Sequence, residues 1–261
     1  MQHFIQSALS TLAFTAATFI PLSAEVARSQ TMDICENTTS MNAATFAGTY
    51  SSGCSSTPDR YSITIYEMGF CTSNPISGGS LNKSTCSTTF ESSGGQTVDL
   101  AGSSSITLDE SNATRPPSDT YSYGYMVMSN TFGLRGSLEL TGGVTWVSNG
   151  NDYSSSVTNV TNSGSAANFN DELTDFDGTP GAPCTSSASA TMSLGEMSAI
   201  LADSSLSEAT TCSGVTRLVG SFAPTTAYTI TDDTTALKIT FNVTDKGMTV
   251  IPTTAPAVAN I

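Results

Sequence analysis

Asp171, Glu172, Asp175 and Asp177 fall within seven residues and run into Gly178. Carboxylates at that density supply hard oxygen ligands, the kind that hold Ca²⁺ on a loop. Their spacing departs from the EF-hand: with Gly178 at the sixth position, Leu173 would stand first and Cys184 twelfth. A solvated acidic loop is the plainer reading in a chain with 22 Asp+Glu against 8 Lys+Arg, and it is preferred. The four carboxylates stand as the candidate Ca²⁺ ligands, and no other cofactor is expected.

Other catalytic chemistry is short of parts. The one histidine is His3, in a leader expected to be removed, so the mature chain builds neither a Ser-His-Asp triad nor a Cys-His pair. G-x-S-x-G, P-loop and G-x-G-x-x-G patterns are absent, and Asp177-Gly178-Thr179 reverses the aspartic-protease order. Glycoside hydrolysis needs only two carboxylates, but Trp146 is the single Trp available to stack on a sugar. The chain is therefore expected not to be an enzyme, with no catalytic residue.

Cys35, Cys54, Cys71, Cys86, Cys184 and Cys212 are even in number and form no C-x-x-C pair. Such cysteines in an exported chain form disulfides. Six allow fifteen connectivities, and spacing alone does not choose among them. Pairing neighbours would close three local loops, each contributing on the order of 3 kcal/mol by chain entropy.

Export is expected from the apolar run 8–20, which reaches only about 20 Å as a helix against a bilayer core of roughly 30 Å. It reads as the core of a signal peptide spanning 1–29, with cleavage after Ala24 or Ser29. The segment before it has no Lys or Arg, so a first buried strand or helix is the competing reading. The mature form is expected to be extracellular or at the cell surface, with no membrane span. Its charge, like the −14 of the whole chain, repels phosphate backbones and excludes nucleic acid as a partner.

The elements that must position these residues read as strands. Tyr61 to Phe70 is β-branched and aromatic with apolar side chains on both faces, as in a strand covered on both sides. From Tyr121 to Ser129, Tyr121, Tyr123, Tyr125 and Val127 share one face and Gly124, Met126 and Met128 the other. Further strands are expected at Thr97–Leu100, Ser105–Leu108, Phe132–Leu140, Val144–Val147, Val215–Phe222 and Ala227–Thr231. A final hairpin is expected to join Leu237–Val243 to Met248–Ile251 through Asp245-Lys246-Gly247. One short helix is expected around Leu194–Asp203, because Ser193-Leu194-Gly195-Glu196 has the form of a capping box. Residues 30–60 read as an irregular arm pinned by cysteines, and 148–190 as a loop-rich insertion.

The fold class expected is all-β: an antiparallel β-sandwich or jelly roll with one short helix and long polar loops, as a single domain over 30–261 with terminal arms. The three tyrosines suit core packing better than an open stacking platform. Asn37, Asn82, Asn112, Asn159 and Asn242 each begin an N-x-S/T sequon, at the frequency that a chain close to one-third Ser/Thr produces by chance. The arm 30–45 and the tail 253–261 are candidates to add as strands to a neighbouring copy.

The run Tyr61-Ser-Ile-Thr-Ile-Tyr-Glu-Met-Gly-Phe-Cys-Thr-Ser73, a second Cys, and then Asp119-Thr-Tyr-Ser-Tyr-Gly-Tyr125 resemble a pattern in uncharacterised secreted Ser/Thr-rich proteins of marine bacteria. The likeness covers about residues 61–147. It implies a structural subunit of surface or extracellular material and brings no catalytic residue. The expected function is a self-assembling subunit of an extracellular filament or surface layer, joined to copies of itself by strand addition. Alternatives are a carbohydrate-binding or adhesive β-sandwich module, with glycans as partners, and a virion structural protein.

Overall fold

A computed structural model of the chain describes residues 33–101, 108–152, 159–176, 184–234 and 243–252, together with the backbone of 12–14, 239–241 and 259–260. The protein is all-β and antiparallel, with strands over 51% and helix over 10% of the described residues, and its largest sheet curls into a half-barrel. That sheet has eight strands: β1 (Arg60–Cys71), β2 (Cys86–Asp99), β3 (Tyr123–Ser129), β4 (Thr131–Arg135), β5 (Phe169–Glu172), β6 (Ser187–Met192), β7 (Gly195–Ala202) and β8 (Arg217–Pro224). Their order is β5-β4-β1-β3-β8-β7-β6, with β2 on the other edge of β1.

β1 holds the centre because both of its faces are apolar, as its sequence indicated. Ile63, Ile65 and Met68 enter the main core, and Cys71 enters a second cluster on the opposite face. β3 divides the same way: Met126 and Met128 face the main core, while Tyr123, Tyr125 and Val127 face the second cluster. Tyr121 packs separately with Phe70 and Ile230. Ile76, Leu81 and Leu206 cover the second cluster. The loop carrying Ile76 and Leu81 is closed at its base by the Cys71–Cys86 disulfide.

Smaller sheets lie over the main core. Ser137–Leu140, Val144–Ser148 and Val160–Thr161 form one, contributing Leu138, Leu140 and Val160. Cys54–Ser56 pairs with Met248–Pro252 in another, contributing Cys54, Met248 and Val250. The helix α1 (Ala43–Thr49) is capped by Asn42, whose side chain accepts from the Thr45 N–H at 2.9 Å. It drives Phe46 into the core, where the ring meets Tyr50 at 5.2 Å between centroids.

The main sheet forks at Asn130. β4 and β3 run end to end along one edge of β1, and their far edges take different partners: β5 pairs with β4, and β8 pairs with β3. Asn130 sits buried at the split. Its Nδ2 donates to the carbonyl of Leu173, just past β5, at 3.3 Å and to that of Val215, just before β8, at 3.5 Å. One amide thus satisfies the backbone where two strands diverge and a ladder can no longer do so.

Four expectations are corrected. Residues 195–202 form the strand β7, not a helix; Met197, Ala199 and Leu201 face one cluster while Ile200 and Ala202 face the other. Ser193 and Leu194, expected to begin that helix, are the turn of the β6–β7 hairpin. At Gly195, with φ 150°, a Cβ would collide with the Ala223 carbonyl, so the pairing with β8 requires glycine. The described part of the arm, 33–60, is not irregular throughout: it holds α1 and Cys54–Ser56, fastened by Cys35–Cys54.

Among the described residues the final hairpin forms no ladder. A turn at 243–246 is present, with Lys246 N–H donating to Val243 C=O. The flanking strands then separate: Ile239–Phe241 pairs with Leu12–Phe14, and Met248–Val250 pairs with Cys54–Ser56. The stretch 148–190 supplies both end strands of the path, β5 and β6. Of the two strands expected between 97 and 108, the first lies within β2, and Ser105–Thr107 fall outside the described residues.

Candidate functional site

The acidic group does not converge among its described members. β5 pairs Asp171 with Phe132 and Glu172 with Thr131, so successive side chains leave opposite faces. Asp171 is 8% exposed while Glu172 is exposed. Burial pushes the Asp171 carboxyl up to about 6, and the neighbouring Glu172 and Asp152 carboxylates add to the rise. Asp175 turns elsewhere and accepts from the Thr185 N–H at 2.9 Å. Asp177 lies outside the described residues.

Asp175 also stands with the sulfurs of Cys184 and Cys212, the three ligand atoms lying within 4.8 Å of one another. The two sulfurs are bonded to each other, so neither has a thiolate to offer an ion. All six cysteines pair with their sequence neighbours, 35–54, 71–86 and 184–212. That is the arrangement of three local loops.

One buried polar group with several side-chain partners was not singled out by sequence. Glu67 of β1 accepts from Lys83 Nζ at 2.8 and 3.0 Å, from Thr88 Oγ1 at 3.3 Å and from the Tyr125 hydroxyl. Tyr125 and Thr88 are themselves 2.9 Å apart. Burial, then the bond to Glu67, hold the Tyr125 hydroxyl well above its ordinary range, so it stays protonated and serves as a donor. Lys83 comes from the loop between Cys71 and Cys86, so this network clasps that loop to the sheet. Every partner is engaged within the protein. The cluster reads as a fastening.

The aromatic candidates are largely inward, with Tyr123 half-buried against the second cluster. Tyr121 is 2% and Tyr125 1% exposed, so neither presents a ring face to a ligand. Trp146 is half-buried against the main core. Among the sequons, Asn159 is fully buried and Asn242 lies outside the described residues.

The edges of the main sheet differ sharply from one another. β2 is bulged opposite β1, carries Glu91 and Asp99, and is partly covered: Thr114 N–H donates to Thr89 C=O, and Asp109 N–H to Gln96 Oε1. β5 carries two consecutive carboxylates, and its Asn170 N–H is taken by Asp152 Oδ1. These are devices that stop a sheet from adding strands. β6 has none of them. Its sequence, Ser187-Ala-Ser-Ala-Thr-Met192, contains no charge and no proline, its ladder to β7 is unbroken, and among the described residues it pairs with β7 alone.

The surroundings of β6 explain its exposure. Glu208 holds Ser186 at one end through a 2.7 Å bond to its Oγ, and Cys184 fastens the approach to Cys212. The hairpin turn at Ser193-Leu194 fixes the other end. The strand is thus held between two anchors, and no other described strand lies along its outer side. Compared with protein-family models, curated proteins and solved structures, the chain matches none.

Proposed function

We propose that the protein is an exported structural subunit that assembles with copies of itself into an extracellular filament or surface layer by strand addition. The observation that carries this reading is that, among the described residues, the outer edge of β6 has no partner strand, in a sheet whose β2 and β5 edges are both guarded. An outward row of N–H and C=O groups on an uncharged strand is a template for another strand. Three disulfides fit a chain that folds in an oxidising compartment, and none of the described helices is long and apolar enough to cross a membrane. The acidic charge keeps free copies apart until edges meet, and screening by salt favours association. Electron microscopy of the purified mature protein at micromolar concentration tests the reading. Regular filaments or sheets are expected; a strictly monomeric species across salt concentrations refutes it.

A further inference from the structure

The partner strand for β6 follows from its register and side chains. Leu201 N–H donates to Ser186 C=O at 2.7 Å, and Ser186 stands opposite Leu201 in the continuation of the β6–β7 ladder. Even-numbered residues therefore bond inward to β7, and odd-numbered residues turn their N–H and C=O outward. Thr185 agrees: its N–H is taken by Asp175 Oδ1 and its C=O by the Phe176 N–H, both at 2.9 Å and both from outside the ladder. Beyond that point the outward groups of Ser187, Ser189 and Thr191 meet no other described strand.

We infer that β6 pairs antiparallel with β6 of a second copy about a two-fold axis at Ser189. This inference rests on the assembly reading and names the contact. Ser189 then faces Ser189 of the second copy, and Ser187 faces its Thr191, each an outward-turned residue. The contact forms about six main-chain hydrogen bonds between the copies. A two-fold normal to the sheet keeps faces matched. The exposed Ser187, Ser189 and Thr191 stay together on one side, and the half-buried Ala188 and Ala190 stay together on the other.

The occupant is argued from charge. Copies of a chain of net charge −14 repel one another, and a self-paired contact places the residue on the axis opposite its own equivalent and the residues either side of it opposite one another. β5 would bring the carboxylates of Asp171 and Glu172 close to those of the second copy, and β2 would bring Glu91, near its centre, close to its own image. β6 brings only Ser, Ala, Thr and Met. Small side chains also let the facing strands approach without rearrangement. Because a two-fold contact closes on itself, the resulting pair is the building unit, and growth to a filament or layer uses a second contact of that pair.

Sedimentation of the exported, purified protein tests this with Ser189→Lys, Ser189→Glu and Ser189→Pro. Pairing like charges across the axis is expected to weaken dimerisation at least tenfold in Ser189→Lys and in Ser189→Glu, and an equimolar mixture of the two restores it. Proline at 189 removes only an outward N–H, so Ser189→Pro is expected to be monomeric with an unchanged circular dichroism spectrum. Association that persists in the Lys and Glu variants and disappears on deletion of 253–261 overturns the inference, leaves the assembly reading standing, and makes the tail the donor strand. Wild-type protein that is monomeric at every concentration overturns both.

Discussion

Replacing Asp171 by Asn tests the burial reasoning at a single carboxyl. The side chain lies on β5, 8% exposed, and titrates at about 6 instead of the ordinary 3.8. A raised carboxyl pKa means that the folded state disfavours the ionised form. Its protonated form is therefore fully compatible with folding below about pH 3.8, and stability falls as pH rises through 6. The difference of about two pKa units corresponds to ~3 kcal/mol at neutral pH, an upper figure because water and side chains relax around a buried charge. Asn keeps the shape and removes the charge. Urea unfolding at pH 7.5 should show Asp171→Asn more stable than wild type by about 1–3 kcal/mol, with the two converging near pH 4. A variant less stable than wild type at pH 7.5, or a gain that is the same at both pH values, would refute the argument. Either result would mean that Asp171 is held by a favourable partner for its charge.

Asn130→Leu should lower stability by about 1–3 kcal/mol in urea titration, because the carbonyls of Leu173 and Val215 lose their buried donor. Gly195→Ala should be more damaging, since the added methyl meets the Ala223 carbonyl at the β7–β8 ladder; the thermal midpoint should fall by several degrees or the chain should fail to accumulate. Replacing Cys184 and Cys212 by Ser releases a loop with a sequence separation of 28, for a loss of about 3.5 kcal/mol by chain entropy, read from the denaturation midpoint under non-reducing conditions.

Legibility in the sequence followed the contrast between side chains. β1 and β3 were readable because their apolar residues stand against polar neighbours and occupy both faces. β7 was misread as a helix because it is buried on both faces as well. In Gly-Glu-Met-Ser-Ala-Ile-Leu-Ala202 apolar residues occur at helical and at strand spacing alike, and the Ser193…Glu196 pattern tipped the choice. The true helix, Ala43–Thr49, has one buried anchor, Phe46, and no acidic residue in its first turn, so it offers little periodic signal. The final hairpin failed for a different reason: a local turn formed, but Cys35–Cys54 holds a competing partner for Met248–Val250 against the core. The β6 edge was hidden because alternating Ser and Ala carries no hydropathy contrast. Its importance emerges only when the topology shows that nothing in the described chain lies beside it.

The pairing of Cys54–Ser56 with Met248–Val250 ties together segments from near the two ends of the chain. Long-range closure of this kind comes late, since its loop entropy must be overcome before the contact returns any energy. On the proposed reading, a chain exported from its amino terminus would hold an incomplete core until Met248–Val250 had emerged. During that interval β6, already translocated and still uncapped, would be an open template. On that reading export and assembly would compete in time: polymer that starts before Val250 docks would trap subunits with their ends unsewn. Folding helpers that delay edge pairing, or a low local concentration at the exit site, would set the yield of ordered material more strongly than the final stability of the subunit.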